Sequence, residues 1–390
     1  MKKLFVLFHL AFYMLHVHAQ NVGIGTGTPK ARLHVLDSSV LFSATLDVSV
    51  NDNVPMTGPG TRMMWYPGKA AFRAGHANGT QWDKSNIGLF SFAAGISGIA
   101  SGEAAVALGR NTQATNSSAT AMGFSTRAYG VSSTAMGDGT LASETNATAM
   151  GYQSAATGNT STAMGFQSEA SGSYSTAMGV YTTASGLSST AMGYETTASG
   201  PYSTAIGNYA STASNEGALV IGDHSTTTLL TGITNMFRAR FSAGYRFFTN
   251  STMTVSCALP AGANAWNTGS DVKLKENFEE IDGESFLQKI NTLHLTTWNY
   301  KTQDPKTFRH YGPIAQEFFA AFGKDKIGTI GCDTLINQAD FDGVNLIAIQ
   351  ALEKRTQRID RIEKENAELK NEVAELTARL KLLEGLMLKK

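Results

Sequence analysis

The sequence predicts a mainly β protein built on a β-solenoid, with a coiled coil at its C-terminal end. Glycine recurs every 14 residues from Gly109 to Gly207 and closes runs such as TAMG and STAIG. Apolar residues recur with heptad spacing after residue 351. A period of 14 residues is too short for a helix pair or a propeller blade. It fits one solenoid coil of two short strands and two turns.

The composition of the repeat predicts both its corners and its need for partners. Glycine adopts positive φ at little cost, so a second glycine in the coil, such as Gly186, predicts glycine at both corners. Each coil offers mainly one alanine and one methionine to an interior, which is little apolar area against the entropy of ordering the coil. We therefore expect three chains to pool their thin cores. The alternative, a disordered Ser/Thr/Gly linker, does not explain glycine kept in register.

The N-terminal segment has the pattern of a signal peptide. Residues 1–19 combine a short basic start, an apolar stretch and a small-residue cleavage site before Gln20. No later run reaches about 18 apolar residues, so we expect an exported mature chain without a transmembrane segment.

The glycines of 21–27 are followed by Pro29 and a strand-like segment. A phosphate-binding loop would instead open a helix there, so we interpret this stretch as a β-rich neck.

The segment 36–92 is aromatic and rich in turns, which predicts a small β domain that caps the first coil. A cap is expected because an open solenoid end exposes unpaired strand edges. Trp65 and Trp82 leave two interpretations open: ordinary core residues, or an aromatic platform that binds sugars.

The C-terminal heptads predict oligomerisation. Core positions fall seven apart, and a second set lies three residues after them, with Glu and Lys at flanking positions. Asn366 is the one polar core residue and would set the register at some cost in stability. Heptads alone do not choose between two and three chains; the thin solenoid core favours three. The two sets are Leu352, Ile359, Asn366, Val373, Leu380 and Met387, and Ile362, Leu369, Leu376 and Leu383.

Charge and cysteine content exclude some classes of function. With 31 basic and 31 acidic residues the formal charge is zero, so the whole chain offers no electrostatic attraction for nucleic acid or anionic membranes. Charges become dense after Ser270, which predicts a domain boundary near 265–270. Cys257 and Cys332 lie on opposite sides of it, and a disulfide or two free thiols are both open. We expect no cofactor and no metal site.

Two resemblances can be stated on these motifs. The S-x-A-x-G repeat resembles the left-handed parallel β-roll head of trimeric autotransporter adhesins over about 94–222, which implies a homotrimer and leaves the ligand unknown. Residues 270–390 resemble the self-cleaving intramolecular chaperone domain of phage tailspikes, endosialidases and the myelin regulatory factor. Three segments carry this second resemblance: the S-D-x-x-x-K pattern at Ser270, the G-x-x-A-Q-E pattern at 312–317, and 343–346 leading into a helix.

The second resemblance implies a Ser–Lys dyad. Ser270 would be the nucleophile, Lys275 its general base, and Ser270–Asp271 the bond that is cut, with Asp271 and Asn277 in supporting roles. A serine hydroxyl needs a base to become nucleophilic, and a lysine serves only when neutral, which burial favours. The two residues can meet only if the chain between them turns. We expect Gln316 and Glu317 to be structural.

The complete prediction is a trimeric left-handed β-roll with a small α+β chaperone domain and a coiled coil. The function is that of an exported fibre or adhesin-like protein, found at the cell surface or outside the cell. It would be an enzyme only as an autocatalytic serine endopeptidase. The alternative is a non-cleaving structural or adhesive fibre that retains its trimerisation domain. A glycan-degrading enzyme is disfavoured because the repeats carry few carboxylates. The predicted segments are a signal peptide (1–19), a neck or cap (20–92), the head (93–222), a β-rich stem (223–269), the chaperone and auto-peptidase domain (270–350) and the coiled coil (351–390).

Overall fold

We describe a computed structural model of the chain, which covers residues 21–45, 47–48 and 53–388. The chain divides after Ala243 into two compact units. The predicted signal peptide lies outside the described residues. Within the described ranges, none of the helices combines the length and the apolar character that a membrane crossing requires.

The N-terminal unit is the predicted β-solenoid, which confirms the mainly β fold class. Each coil contributes one long and one short strand. The long strands form a 13-stranded sheet and the short strands a 10-stranded sheet. Neighbours are parallel and in register, apart from the antiparallel hairpin of β3 and β4 at one end. The long-strand sheet contains β3 (Gly60–Tyr66), β4 (Ala71–Ala77), β5 (Phe92–Ile96), β7 (Val106–Arg110), β9 (Thr120–Phe124), β11 (Thr134–Asp138), β13 (Thr148–Tyr152), β15 (Thr162–Phe166), β17 (Thr176–Val180), β19 (Thr190–Tyr194), β21 (Thr204–Asn208), β23 (Leu219–Gly222) and β25 (Phe237–Arg240). The short-strand sheet contains β6 (Ile99–Ala100), β8 (Gln113–Ala114), β10 (Arg127–Ala128), β12 (Leu141–Ala142), β14 (Ala155–Ala156), β16 (Glu169–Ala170), β18 (Thr183–Ala184), β20 (Thr197–Ala198), β22 (Ala210–Ser211) and β24 (Leu229–Leu230).

The glycines that mark the period lie inside the long strands, so the prediction that they form corners was wrong, whereas the second glycine, such as Gly186, does lie at a corner. From Gly109 to Gly207 their φ angles are +97° to +132°. A Cβ added at any of them would approach the carbonyl oxygen of the equivalent glycine in the next coil to 1.9–2.1 Å. Two backbones in such close contact leave no room for a side chain. The regular recurrence of glycine therefore reflects this close contact between neighbouring coils.

The corners are formed mainly by other residues in the left-handed conformation. Gln153 and Thr160 have φ angles of +49° and +54° in one coil, and Gln167 and Tyr174 of +50° and +60° in the next. An isolated left-handed residue of this kind costs about 1–2 kcal/mol. The amide of each corner residue donates to a carbonyl of the preceding coil, as Gln153 does to Asp138 at 2.8 Å. Hydrogen bonds between coils thus hold the chain in a conformation that glycine would reach more cheaply.

The solenoid interior holds small residues, and the predicted interior methionine was wrong. Two alanines per coil, such as Ala149 and Ala156, are 0% exposed, together with a serine or threonine such as Ser154. Met150 lies on the outer face of the long-strand sheet, because alternate residues of a strand point to opposite sides. The methionines form an outward column along the solenoid.

The N-terminal end of the solenoid carries a cap. Trp82 is fully buried and donates from Nε1 to the Gly98 carbonyl at 3.0 Å, so it cannot form an exposed sugar-binding platform with Trp65. Arg73 is also buried. Its guanidinium donates to the carbonyls of Ser91 and Ala100, each at 3.0 Å, and burial lowers its pKa to about 10. The capping hairpin thus satisfies polar groups at the first coils.

The solenoid continues past residue 222, where the sequence repeat has faded. Gly207 pairs with Gly222, so this coil has gained one residue, and β25 adds a further long strand. Asp223 holds this end: its carboxylate accepts from Arg240 at 2.9 Å and from the Ser242 amide at 2.7 Å. Because the 14-residue period is lost here, the sequence does not distinguish these last coils from the predicted β-rich stem. At the other end of the unit, β1 (Val22–Ile24) pairs in parallel with β2 (Leu33–Val35) in the predicted neck.

The C-terminal unit combines two small sheets with three helices. An antiparallel sheet of β26 (Gly244–Phe248), β27 (Ser256–Pro260) and β28 (Asn267–Thr268) comes first. A 3₁₀ turn (Val272–Leu274), α1 (Gly283–Asn291), the strand pair β29 (Thr296–Trp298) and β30 (His310–Gly312), α2 (Ala315–Phe322) and α3 (Gln338–Met387) follow. Phe318, Phe322 and Val344 are the buried centre of its helical core.

Helix α3 begins 13 residues before residue 351, the predicted start of the coiled coil. Asn337 caps it by accepting from the Ala339 amide at 2.9 Å. Its first part buries Val344, Ala348 and Ala351 within the unit. Its second part carries the heptad residues, which are exposed in one chain, such as Leu369. The predicted border at residue 350 thus falls inside one continuous helix.

Candidate functional site

The Ser–Lys pair is positioned by a single helical turn. Asp271 caps the 3₁₀ turn, since its carboxylate accepts from the Lys273 amide at 2.9 Å. The Leu274 amide donates to the Asp271 carbonyl at 3.0 Å, and the Lys275 amide to that of Val272 at 3.2 Å. Because of this turn, the Lys275 side chain points back toward Ser270.

The structure places the two predicted dyad residues in contact. Lys275 Nζ donates a hydrogen bond of 2.7 Å to Ser270 Oγ. A nucleophile and a base at this distance can exchange a proton without rearrangement. Asp271 caps the turn, and Asn277, three residues after its end, is in the left-handed conformation with φ of +59°.

The pair is open to solvent in one chain. Ser270 and Lys275 are exposed, and so are the apolar side chains of Val272, Leu274 and Phe278, the last at 70%. Large apolar side chains grouped around a polar pair are typical of a surface that another surface covers. Water reaches this site in the single chain.

The predicted structural residues Gln316 and Glu317 lie in the first turn of α2. The Glu317 carboxylate accepts from the His294 amide at 3.0 Å and lies 3.1 Å from His294 Nδ1. The hydrogen bond from the His294 amide is the main reason that the pKa of Glu317 lies below its ordinary value. Glu317 thus fastens α2 to the segment before β29.

A second fastening joins α1 to the long helix and was not predicted. Arg355 Nε donates to both carboxylate oxygens of Glu284, at 2.9 and 2.8 Å. Gly283 lies so close to Ala351 that an added Cβ would approach the Ala351 Cβ to 2.8 Å. These contacts dock the start of α1 on α3.

Comparisons with known protein families match two separate parts of the chain. Four consecutive segments match the family model described as YadA head domain repeat (2 copies): 100–126, 128–154, 156–182 and 184–210. Residues 270–325 match the family model described as Chaperone of endosialidase. None of the curated proteins matches the chain. Both resemblances predicted from the sequence are confirmed. The chain carries adhesin-like head repeats followed by a chaperone-of-endosialidase domain that begins at Ser270.

Proposed function

We propose that the protein is an exported homotrimeric fibre whose C-terminal domain assists folding of the trimer and then releases itself by cutting the Ser270–Asp271 bond. The 2.7 Å contact between Lys275 Nζ and Ser270 Oγ carries this proposal. It lies at the first residue of the segment matched to Chaperone of endosialidase. The adhesin-like repeats support a location at the cell surface or outside the cell.

Cleavage requires only the residues of the turn and one water molecule. Ser270 Oγ attacks the carbonyl carbon of its own residue, and the bond to the Asp271 nitrogen breaks. The hydroxyl proton passes to the neutral amine of Lys275 and from there to the leaving nitrogen. Water then hydrolyses the cyclic ester, which restores the Ser270 hydroxyl and leaves a new C-terminal carboxylate.

In our proposal, assembly of the trimer shields the Ser270–Lys275 pair from water, which the single chain does not do. A lysine amine is a base only when it has lost its proton, and removal of water favours the neutral form. Ser270 and Lys275 are exposed in one chain, and Phe278 beside them is 70% exposed. In our proposal a neighbouring copy covers these side chains. Cleavage therefore follows trimer formation.

The outer faces support three-chain packing. The methionine column and the heptad stripe of α3 are both apolar, partly or largely exposed, and run in register along their elements. Three chains aligned in parallel would cover both. The column consists of Met122, Met136, Met150, Met164, Met178 and Met192.

A removable chaperone domain would help the three chains to align in the correct register. The coils are nearly identical, so chains shifted by 14 residues would lose few contacts. Pairing of distant segments is slow, and misaligned chains would accumulate. The coiled coil brings the ends of three chains together at high local concentration. Once the coils are paired, loss of the domain leaves an assembly that is kinetically trapped.

A second function remains in view because of the exposed pair. If no copy covers Ser270 and Lys275, the pair stays open to water and does not cut the chain, and the fibre retains its C-terminal domain as a permanent trimerisation unit.

The test is to produce the full chain and examine it on a denaturing gel. We expect two fragments from the wild type and one intact band from Ser270→Ala and from Lys275→Ala. Lys273→Ala, which removes a lysine two residues away, should still be cut. Sedimentation should show three chains in every case. An intact wild-type trimer would overturn self-release and favour the retained fibre.

A further inference from the structure

The sheet of β26, β27 and β28 ends two residues before the proposed cut. Thr268, its last residue, precedes Ser270 in the chain, so the sheet would stay with the fibre when the C-terminal domain leaves. The coiled coil would leave with that domain. Any contact that holds the three cut ends together must therefore come from residues before Ser270.

One face of this sheet is apolar. Phe247 lies opposite Cys257, and Tyr245 lies opposite Leu259, so these four side chains share a face. The ring of Trp266 lies 5.6 Å from that of Phe247 and belongs to the same face. Phe247 is 57% exposed and Trp266 53% exposed, although both are large and apolar.

The opposite face differs in chemistry. It carries Arg246, Phe248, Ser256, Ala258 and Asn267, which alternate with the residues of the apolar face. The Arg246 guanidinium lies 6.0 Å from the centre of the Phe248 ring, so a cation covers that aromatic side chain. This face is mixed in composition and carries one charged side chain.

Charge decides which partner suits the apolar face. A three-fold contact brings the same residue of each copy to the axis, so a charged residue there would meet two like charges. The apolar face carries no charged side chain, whereas the opposite face carries Arg246. The apolar face therefore suits self-association, and the opposite face does not.

We infer that three copies pack these apolar faces together around the fibre axis, forming a clamp that keeps the ends of the trimer joined after self-release. The inference rests on the proposed function for the trimer and for the departure of the coiled coil. It adds the surface that holds the fibre once the chaperone has gone. A self-association clamp also places the three Cys257 thiols near one another, since Cys257 belongs to the packed face.

The test uses Cys257 as a reporter in the full chain. Cys332 is exposed, and a hydrogen bond with the Thr334 hydroxyl lowers the pKa of its thiol, so it is first replaced by Cys332→Ser. A short bismaleimide, which forms a thioether at each end, is then added to the native protein. We expect a band of two linked chains on a denaturing gel.

Two adjacent phenylalanines provide a matched pair of variants. Phe247→Ser changes the apolar face, and Phe248→Ser makes the same change on the opposite face. We expect Phe247→Ser to reduce the linked fraction by roughly tenfold or more, as truncation of a central interface side chain does. Phe248→Ser should keep it. If Phe247→Ser does not fold, Phe247→Leu with the same readout replaces it.

The outcomes separate the clamp from self-release. A cut, three-chain fibre product whose Cys257 cannot be linked overturns the clamp and leaves self-release intact. Equal loss in the two serine variants also overturns it. An uncut trimer that is linked through Cys257 supports the clamp and overturns self-release. A monomeric chain overturns both.

Discussion

The head and the C-terminal unit solve the problem of burial in opposite ways. Each head coil covers its interior with its own chain, and alanines such as Ala149 and Ala156 are 0% exposed. The C-terminal unit leaves the Ser270–Lys275 pair and the heptad stripe of α3 exposed. A single chain therefore specifies the coil. In our proposal, further copies complete the site.

The features that align the three chains lie outside the head in our proposal. Every coil of the head bonds to its neighbours with the same pairs, as Ala149 does with Ala135 and Ala163. Because the coils are so alike, a chain shifted by one coil against another copy would present almost the same surface to it. The heptads of α3 contain one polar core residue, Asn366, so their alignment is less degenerate. Information about alignment thus comes from outside the repeat.

The first and largest expected effect breaks the contact between coils. Gly165→Ala should destabilise the fold by about 4 kcal/mol or more, because its Cβ would meet the Gly179 carbonyl oxygen at 2.0 Å and its φ is +120°. Chemical unfolding of the full chain, followed by circular dichroism, measures it. Gly139→Gln is the matched control, since other coils place Gln153 and Gln167 at that corner. A similar loss in both variants would contradict the close-contact explanation.

The second effect breaks the contact between chains. Leu369→Asp would bury three carboxylates in the core of the coiled coil and should cost the trimer about 3 kcal/mol or more. We expect monomeric protein by sedimentation and uncut protein on a denaturing gel. Asn371→Asp adds the same side chain two residues away, outside the heptad core, and should assemble and be cut. Efficient cutting of monomeric Leu369→Asp would show that assembly is not required.

Much of the fold followed from periodicity, and the failures share a cause. A 14-residue period predicts a coil, but it does not say whether Gly151 lies in a strand or at a corner. Likewise, alternation predicts that Ala149 and Met150 point to opposite sides, without saying which side is inside. The narrow interior of the coil determines both the place of Gly151 and which side chain points inward. The width of that interior is a property of the folded coil and cannot be read from the period. The helix expected after 343–346 begins earlier, at Gln338, and this first part escaped prediction because Val344, Ala348 and Ala351 follow a different face from the heptads.

The candidate site was predictable only where its residues are neighbours in the sequence. The resemblance of the segment at Ser270 to the chaperone domain implied the pair of Ser270 and Lys275. Their separation of five residues added only that the chain between them must turn. The Glu317 contact with His294 spans 23 residues, and the Arg355 contact with Glu284 spans 71. No local pattern marks such pairs, because tertiary packing brings them together.

The smallest expected effect concerns the Glu317 fastening and depends on pH. The folded pKa of Glu317 lies below the ordinary value of 4.5, chiefly because the His294 amide donates to its carboxylate. Its contribution to stability is therefore present above about pH 4.5 and is lost as the pH falls through the folded pKa. Glu317→Gln should be less stable than wild type at pH 7, and the difference should shrink below pH 4.5. Thermal unfolding at several pH values measures this.

Glu363→Gln, on the exposed part of α3, is the control and should show little difference at any pH. A stability difference for Glu317→Gln that grows on acidification would contradict the assigned hydrogen bond.

The central claim is that assembly of three chains activates the Ser270–Lys275 pair. The most direct measurement follows the freshly refolded full chain over time, with native mass spectrometry for the number of chains and intact mass for the fragments. We predict that uncut trimer appears first and that a C-terminal fragment beginning at Asp271 accumulates from it. A fragment that begins elsewhere, a fragment released from monomer, or a trimer that stays uncut would contradict the account.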